Sequence, residues 1–163
     1  MRLCALLLVI TWLPVALNAQ QAAVDSSSTC AVTIPNGQRY TAAPPGGNHG
    51  NEFLVTGLWP QGKVIFKPGG PGSVRKDGAL EMKFPWWRLI QGQLTIEGRR
   101  LDGPAPHLRA DIPQGYGDIG FQATGLIFPT PGCWEVTGRV GNGRLTFVTQ
   151  VVKIAAGPAR AAR

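Results

Sequence analysis

The sequence predicts an all-β fold in which antiparallel sheets pack face to face, and three observations carry that expectation. In 125–154, GLIFPTPGCWEVTGRVGNGRLTFVTQVVKI, the residues Trp134, Val136 and Val140 fall on one face at period two, with Gly138 between them. Glu135, Thr137 and Arg139 fall on the other. After a Gly141-Asn142-Gly143 turn, Leu145, Phe147 and Val151 resume the alternation, so the stretch reads as a hairpin whose aromatic face a second sheet must cover. Finally, 22 glycines and 14 prolines are spread along the chain, and no helical period appears beyond the N-terminal apolar run.

That first run is read as a secretory signal, residues 1–19. Arg2 supplies the positive start, Leu3 to Val15 the apolar run, and Ala16-Leu17-Asn18-Ala19 the small-residue exit. The run is short for a bilayer crossing, and no later run is longer. The expectation is therefore an exported protein, periplasmic or extracellular, with no transmembrane segment in the mature chain. Residues 20–29 read as a flexible lead-in, 30–154 as one domain and 155–163 as a disordered tail.

Cys4 leaves with the signal, which pairs Cys30 with Cys133 as a disulfide in an oxidising compartment; two buried free thiols are the alternative. Cys133 faces away from Trp134 on its strand. The bond would thus fasten the N-terminal segment to the flank of the sandwich, unlike the core-crossing bond of antibody domains.

The remaining elements follow in order. Ala31–Ile34 reads as a short edge strand, stopped by Pro35-Asn36-Gly37. A loop covers 42–51. Glu52 to Trp59 and Lys63 to Lys67 read as a hairpin joined by Pro60-Gln61-Gly62, with Val64 and Phe66 on one face and Ile65 on the other. The next stretch, Pro68-Gly69-Gly70-Pro71-Gly72, lacks the Lys-Ser/Thr and helix of a phosphate loop and reads as a surface turn. Leu80, Met82, Phe84 and Trp86 point inward from one strand, which Pro85 places at an edge or brings to its end. Leu94 and Ile96 mark another, Leu108, Ala110 and Ile112 a further one. After Gly115-Tyr116-Gly117-Asp118, a turn needing positive φ at its glycines, either Phe121, Ala123 and Gly125 or Gln122, Thr124 and Leu126 face inward. The total is seven to nine short strands with turn signals every eight to twelve residues, the pattern of an immunoglobulin-like antiparallel β-sandwich.

The segment PTPGCWEVTGRVGNGRLTFVTQVVKI resembles the closing hairpin of immunoglobulin-like and fibronectin-like modules. The wider stretch from Lys83 to Ile154, with FPWWR, GYGDIGFQATGLIFPTPGCWEVTGR and LTFV, is similar to a family of small exported bacterial proteins without an assigned activity. The resemblance implies fold and export and brings no catalytic residues.

The chemistry-bearing residues are sparse. Serines beyond the signal are Ser26, Ser27, Ser28 and Ser73, none in Gly-x-Ser-x-Gly, and the histidines are His49 and His107 alone. Neither histidine has a second ligand at short spacing, and Asp102, Asp111 and Asp118 lack the spacing of a calcium loop, so no metal and no cofactor is expected. Glu52, Glu97 and Glu135 obey no spacing that would make a glycosidase pair. The net charge of +7 is dispersed along the chain; it favours solubility and salt-sensitive attraction to anionic envelope neighbours over nucleic acid.

The candidate binding surface is aromatic and basic. In Trp86-Trp87-Arg88 the adjacent tryptophans point to opposite faces, so an inward Trp86 leaves Trp87 outward beside Arg88, where Trp59 and Tyr116 can join it. The competing and preferred reading has Trp87 covered by a second apolar layer. The expected function is a non-enzymatic exported domain contacting a protein or glycan of the cell envelope. The alternative is a carbohydrate-binding module that stacks sugars on Trp87, Trp59 and Tyr116.

Overall fold

The computed structural model describes residues 29–154, and the signal, the start of the lead-in and the tail lie outside them. Ten strands are present among the described residues: β1 (His49–Gly50), β2 (Leu54–Thr56), β3 (Lys63–Phe66), β4 (Ser73–Val74), β5 (Leu80–Arg88), β6 (Thr95–Arg100), β7 (Arg109–Asp111), β8 (Gly120–Phe128), β9 (Gly132–Val140) and β10 (Gly143–Lys153). They form two packed sheets. One runs β1-β2-β5-β8-β7, with β4 also on β5; the other runs β3-β10-β9-β6. The order β2-β5-β8-β7 against β10-β9-β6 is the A-B-E-D against G-F-C arrangement of an immunoglobulin sandwich.

The core is aromatic because the period-two stripes of β5, β8, β9 and β10 all turn inward. Trp86, Trp134, Phe66, Phe84, Phe128 and Phe147 are its largest fully buried side chains. Phe84 meets Trp86 edge-on at 5.4 Å between ring centroids, and Phe128 meets Trp134 in the same way at 5.7 Å. On β8 the inward set is Gln122, Thr124, Leu126 and Phe128. The closing hairpin forms as expected, with Val136 opposite Phe147, but Gly143 opposite Val140 already belongs to β10, so the turn is Gly141-Asn142 alone.

Gly138 interrupts the inward stripe of β9 for a steric reason. A methyl group there would stand 2.6 Å from Cη2 and Cζ3 of Trp86, an impossible approach between two core atoms. Gly138→Ala is therefore expected to lower stability by about 1–3 kcal/mol through overpacking, read as a shift in denaturant midpoint. A midpoint equal to the parent's would show that the Trp86 ring moves aside freely.

Three readings of the elements need correction. The predicted hairpin between 52 and 67 does not form: β2 pairs with β5 in one sheet, while β3 crosses to the other and pairs in parallel with β10. Two short apolar runs joined by a turn have the same signature whether they pair together or part, and the 3₁₀ turn Pro60–Gly62 is here the point of crossing. Pro85 marks neither the edge nor the end of β5, which continues to Arg88 between β2 and β8. On its β2 side, however, β2 covers 86–88 and β4 covers 80–81, so Pro85 sits in the gap between them. Its carbonyl accepts from Thr56 Oγ1 at 2.7 Å, which turns the nitrogen that lacks a proton toward that gap. Of the ten strands, β1 and β4 have two residues each, and the other eight fall within the expected seven to nine; the third correction concerns the segment before Pro35.

Residues 31–34 take no strand conformation but do lie beside β10. The Thr33 amide donates to the Val148 carbonyl at 2.9 Å, while the Val148 amide donates to the Thr33 hydroxyl instead of a second carbonyl, so no ladder starts. The disulfide joins Cys30 to Cys133, with Cα atoms 5.4 Å apart, and fastens this segment to the outer side of β9 as the alternation of Cys133 and Trp134 requires.

Candidate functional site

The structure divides the four predicted surface residues between two places. Trp87 does point away from the core, as its alternation with Trp86 demands, but it is 6% exposed. The predicted loop at 42–51 and the residues before it form the cover. Tyr40 lies nearly parallel to the indole at 6.5 Å, Phe121 packs at 5.5 Å, and indole Nε1 donates to the Pro44 carbonyl at 2.8 Å. Gly46 lets the backbone rest on the ring, since any side chain there would collide with Cζ2. Trp87 therefore belongs to a second apolar layer.

Arg88 ends β5 and is 2% exposed. Its guanidinium donates to three carbonyls: Gly92 at 2.9 Å, Gly117 at 2.8 Å and Tyr116 at 3.2 Å. Nε is buried without a partner. Burial pushes the Arg88 pKa down, and the charge of Asp118 opposes that shift. Its charge thus clamps the turn 115–118, where Gly115 and Gly117 adopt the positive φ values of 94° and 67° expected of them. Tyr116 packs edge-on against Phe121 at 5.8 Å. Together Arg88, Tyr116, Asp118 and Gln122 line a polar cleft of about 260 Å³ at this end of the sandwich.

Trp59 lies apart from these three. It packs into the open side between the sheets, 4.7 Å from Phe84 and 6.5 Å from Phe128. Here it forms one wall of a cleft of about 490 Å³ with Val64, Ile65 and Met82, beside the exposed Lys63 and Lys67. A second cleft of about 280 Å³ continues past Lys67 to Phe66, Val74, Ile154 and Lys153. Among the described residues, no acidic side chain lines either one.

All five ion pairs among the described residues use arginine: Arg75–Glu81, Arg99–Glu135, Arg100–Asp102, Arg109–Asp77 and Arg139–Glu97. Among the described residues, Lys63, Lys67 and Lys153 form no ion pair. Of the residues weighed for hydrolysis, Glu97 and Glu135 are tied across the β6–β9 ladder by Arg139 and Arg99. His49 Nδ1 accepts from the Asn36 amide at 3.3 Å, and burial lowers its pKa. Among the described residues no three His, Cys, Asp or Glu side chains gather closely enough to hold a metal, and no helix is long and apolar enough to cross a membrane.

Sequence reasoning missed Lys63, Ile65, Lys67 and Met82 as one surface. A signal was present: Ile65 is a large apolar residue on the outward face of a strand, two positions from a lysine on either side. Only the crossing of β3 to the second sheet brings Met82 and Trp59 beneath it. Compared with known protein families, curated proteins and solved structures, the chain matches none.

Proposed function

We propose that this chain is an exported, non-enzymatic contact domain that binds an acidic protein segment of the cell envelope through the cleft beside β3. The carrying observation is the cleft's composition: apolar walls from Trp59, Val64, Ile65 and Met82, lysines on the rim, and no acid. Such a surface favours a partner that supplies both apolar side chains and negative charge. The signal-like residues 1–19 and the disulfide support export.

The test compares a capped peptide of alternating valine and glutamate with a heparin-derived oligosaccharide, each titrated calorimetrically at low and high salt. The peptide is expected to bind, and Lys63→Glu with Lys67→Glu to weaken it by about tenfold or more, because rim charges of like sign repel. Binding of the oligosaccharide alone, lost in Trp59→Ala, would replace this reading with the glycan-stacking one.

A further inference from the structure

The mode of binding at this surface can be carried further, on the reading just given that the β3 cleft is the contact site. We infer that β3 takes up its partner as an added strand: an extended acidic segment hydrogen-bonds to the outward backbone of Ile65, and its alternate side chains enter the cleft over Trp59 and Met82.

The first support is the backbone. β3 ends its sheet and has β10 as its strand neighbour. The Phe66 carbonyl accepts from the Ile154 amide at 2.8 Å, so Phe66 faces β10. Polar groups alternate sides along a strand, which turns the N–H and C=O of Ile65 away from β10 toward the open edge. The flanking positions are partly closed by the chain's own turns, with the Lys63 amide on the Pro60 carbonyl and the Lys67 carbonyl on the Gly70 amide. Among the described residues, Ile65 is left as the centre of an open docking edge, and it is 43% exposed.

The other edges offer less. β1 has two residues, and Asn36 already donates to the Gly50 carbonyl at 2.7 Å. β7 has three residues. β6 is longer, but the Leu108 amide occupies its Gly98 carbonyl at 3.0 Å.

The second support is charge. Lysines on an edge strand are a common guard against pairing between copies of one chain. Here the guard also selects. A second copy of a chain with net charge +7 brings lysines to lysines, whereas an acidic segment meets them with opposite charge. The third support is shape: a cleft lies between Val64 and Ile65 of β3 and Met82 of β5, so the inward side chains of an added strand extend the core instead of meeting solvent. Gln61, at φ 56° the one residue other than glycine with positive φ among those described, holds the turn that aims β3 along this opening.

The experiment uses the folded domain, two peptides and two variants. The capped valine–glutamate peptide is expected to slow hydrogen exchange at the Ile65 amide by about tenfold and the valine–lysine peptide to leave it unchanged. Ile65→Pro deletes the outward donor and no donor to β10, so it should keep the fold and weaken the valine–glutamate peptide by about tenfold or more; Ile65→Ala, which keeps the donor, should bind within about threefold of the parent. Should Ile65→Pro fail to fold, the exchange result on the parent decides. Peptide binding with Ile65 exchange unchanged, or with Ile65→Pro unimpaired, overturns strand addition and leaves the contact site standing. Equal binding of the lysine peptide overturns the charge selection on which the inference rests, and absence of binding by the glutamate peptide overturns both readings.

Discussion

Replacing both Cys30 and Cys133 by alanine is expected to lower the stability of the folded domain by about 2–5 kcal/mol. The bond joins positions 103 apart in sequence, and the chain-entropy model puts the closure of such a loop at about 4.7 kcal/mol, an upper figure because a denatured chain is already partly compact. The folded state also loses a tether. Residues 31–33 meet β10 through one amide bond to Val148 and one hydroxyl bond from it, too little to order a chain end without the covalent link. Urea unfolding of the variant, set beside the parent with and without reductant, checks this. Reduced parent and variant should coincide, and both should fall below the oxidised parent. A loss under about 1 kcal/mol would mean that the N-terminal segment contributes nothing that the sheets do not already hold.

Trp87→Ala is expected to cost about 3–5 kcal/mol, the range for truncating a buried large aromatic. The indole fills the space between β5 and the loop that covers it, touching Tyr40 and Phe121, and Nε1 holds the Pro44 carbonyl. Alanine would leave a cavity under Gly46, whose backbone rests directly on the ring, so the loop should loosen as well. Thermal unfolding together with exchange at the Gly46 amide, which donates to the Tyr40 carbonyl, reads both effects. A melting temperature close to the parent's would instead mark Trp87 as a surface platform, and with it would return the sugar-stacking surface of Trp87, Tyr116 and Trp59.

The candidate site was legible in fragments. That Trp87 and Ile65 point outward follows from alternation with Trp86, Val64 and Phe66, and so does the attachment of Cys133 to the flank of the sheet. Alternation assigns a face and says nothing of what lies on it. Trp87 and Ile65 are outward residues of the same kind in sequence, yet one is covered by a glycine-bearing loop and the other is open beside two lysines. Arg88 shows the same limit: its place at the end of β5 is readable, but the three carbonyls that receive its guanidinium come from residues 4 to 29 positions away.

By itself, the sequence determined an all-β sandwich, the inward faces of β3, β5, β9 and β10, the closing hairpin and the cysteine pairing, because each depends on a period of two, a local turn or the count of cysteines. Only the tertiary structure decided that the chain crosses between sheets at Pro60–Gly62, that β3 runs parallel to β10, and that Pro85 faces a gap within a central strand. Those features depend on which distant strands meet. Local pattern records the side a residue faces, and long-range pairing alone sets which edge remains open and which side chains stand around it.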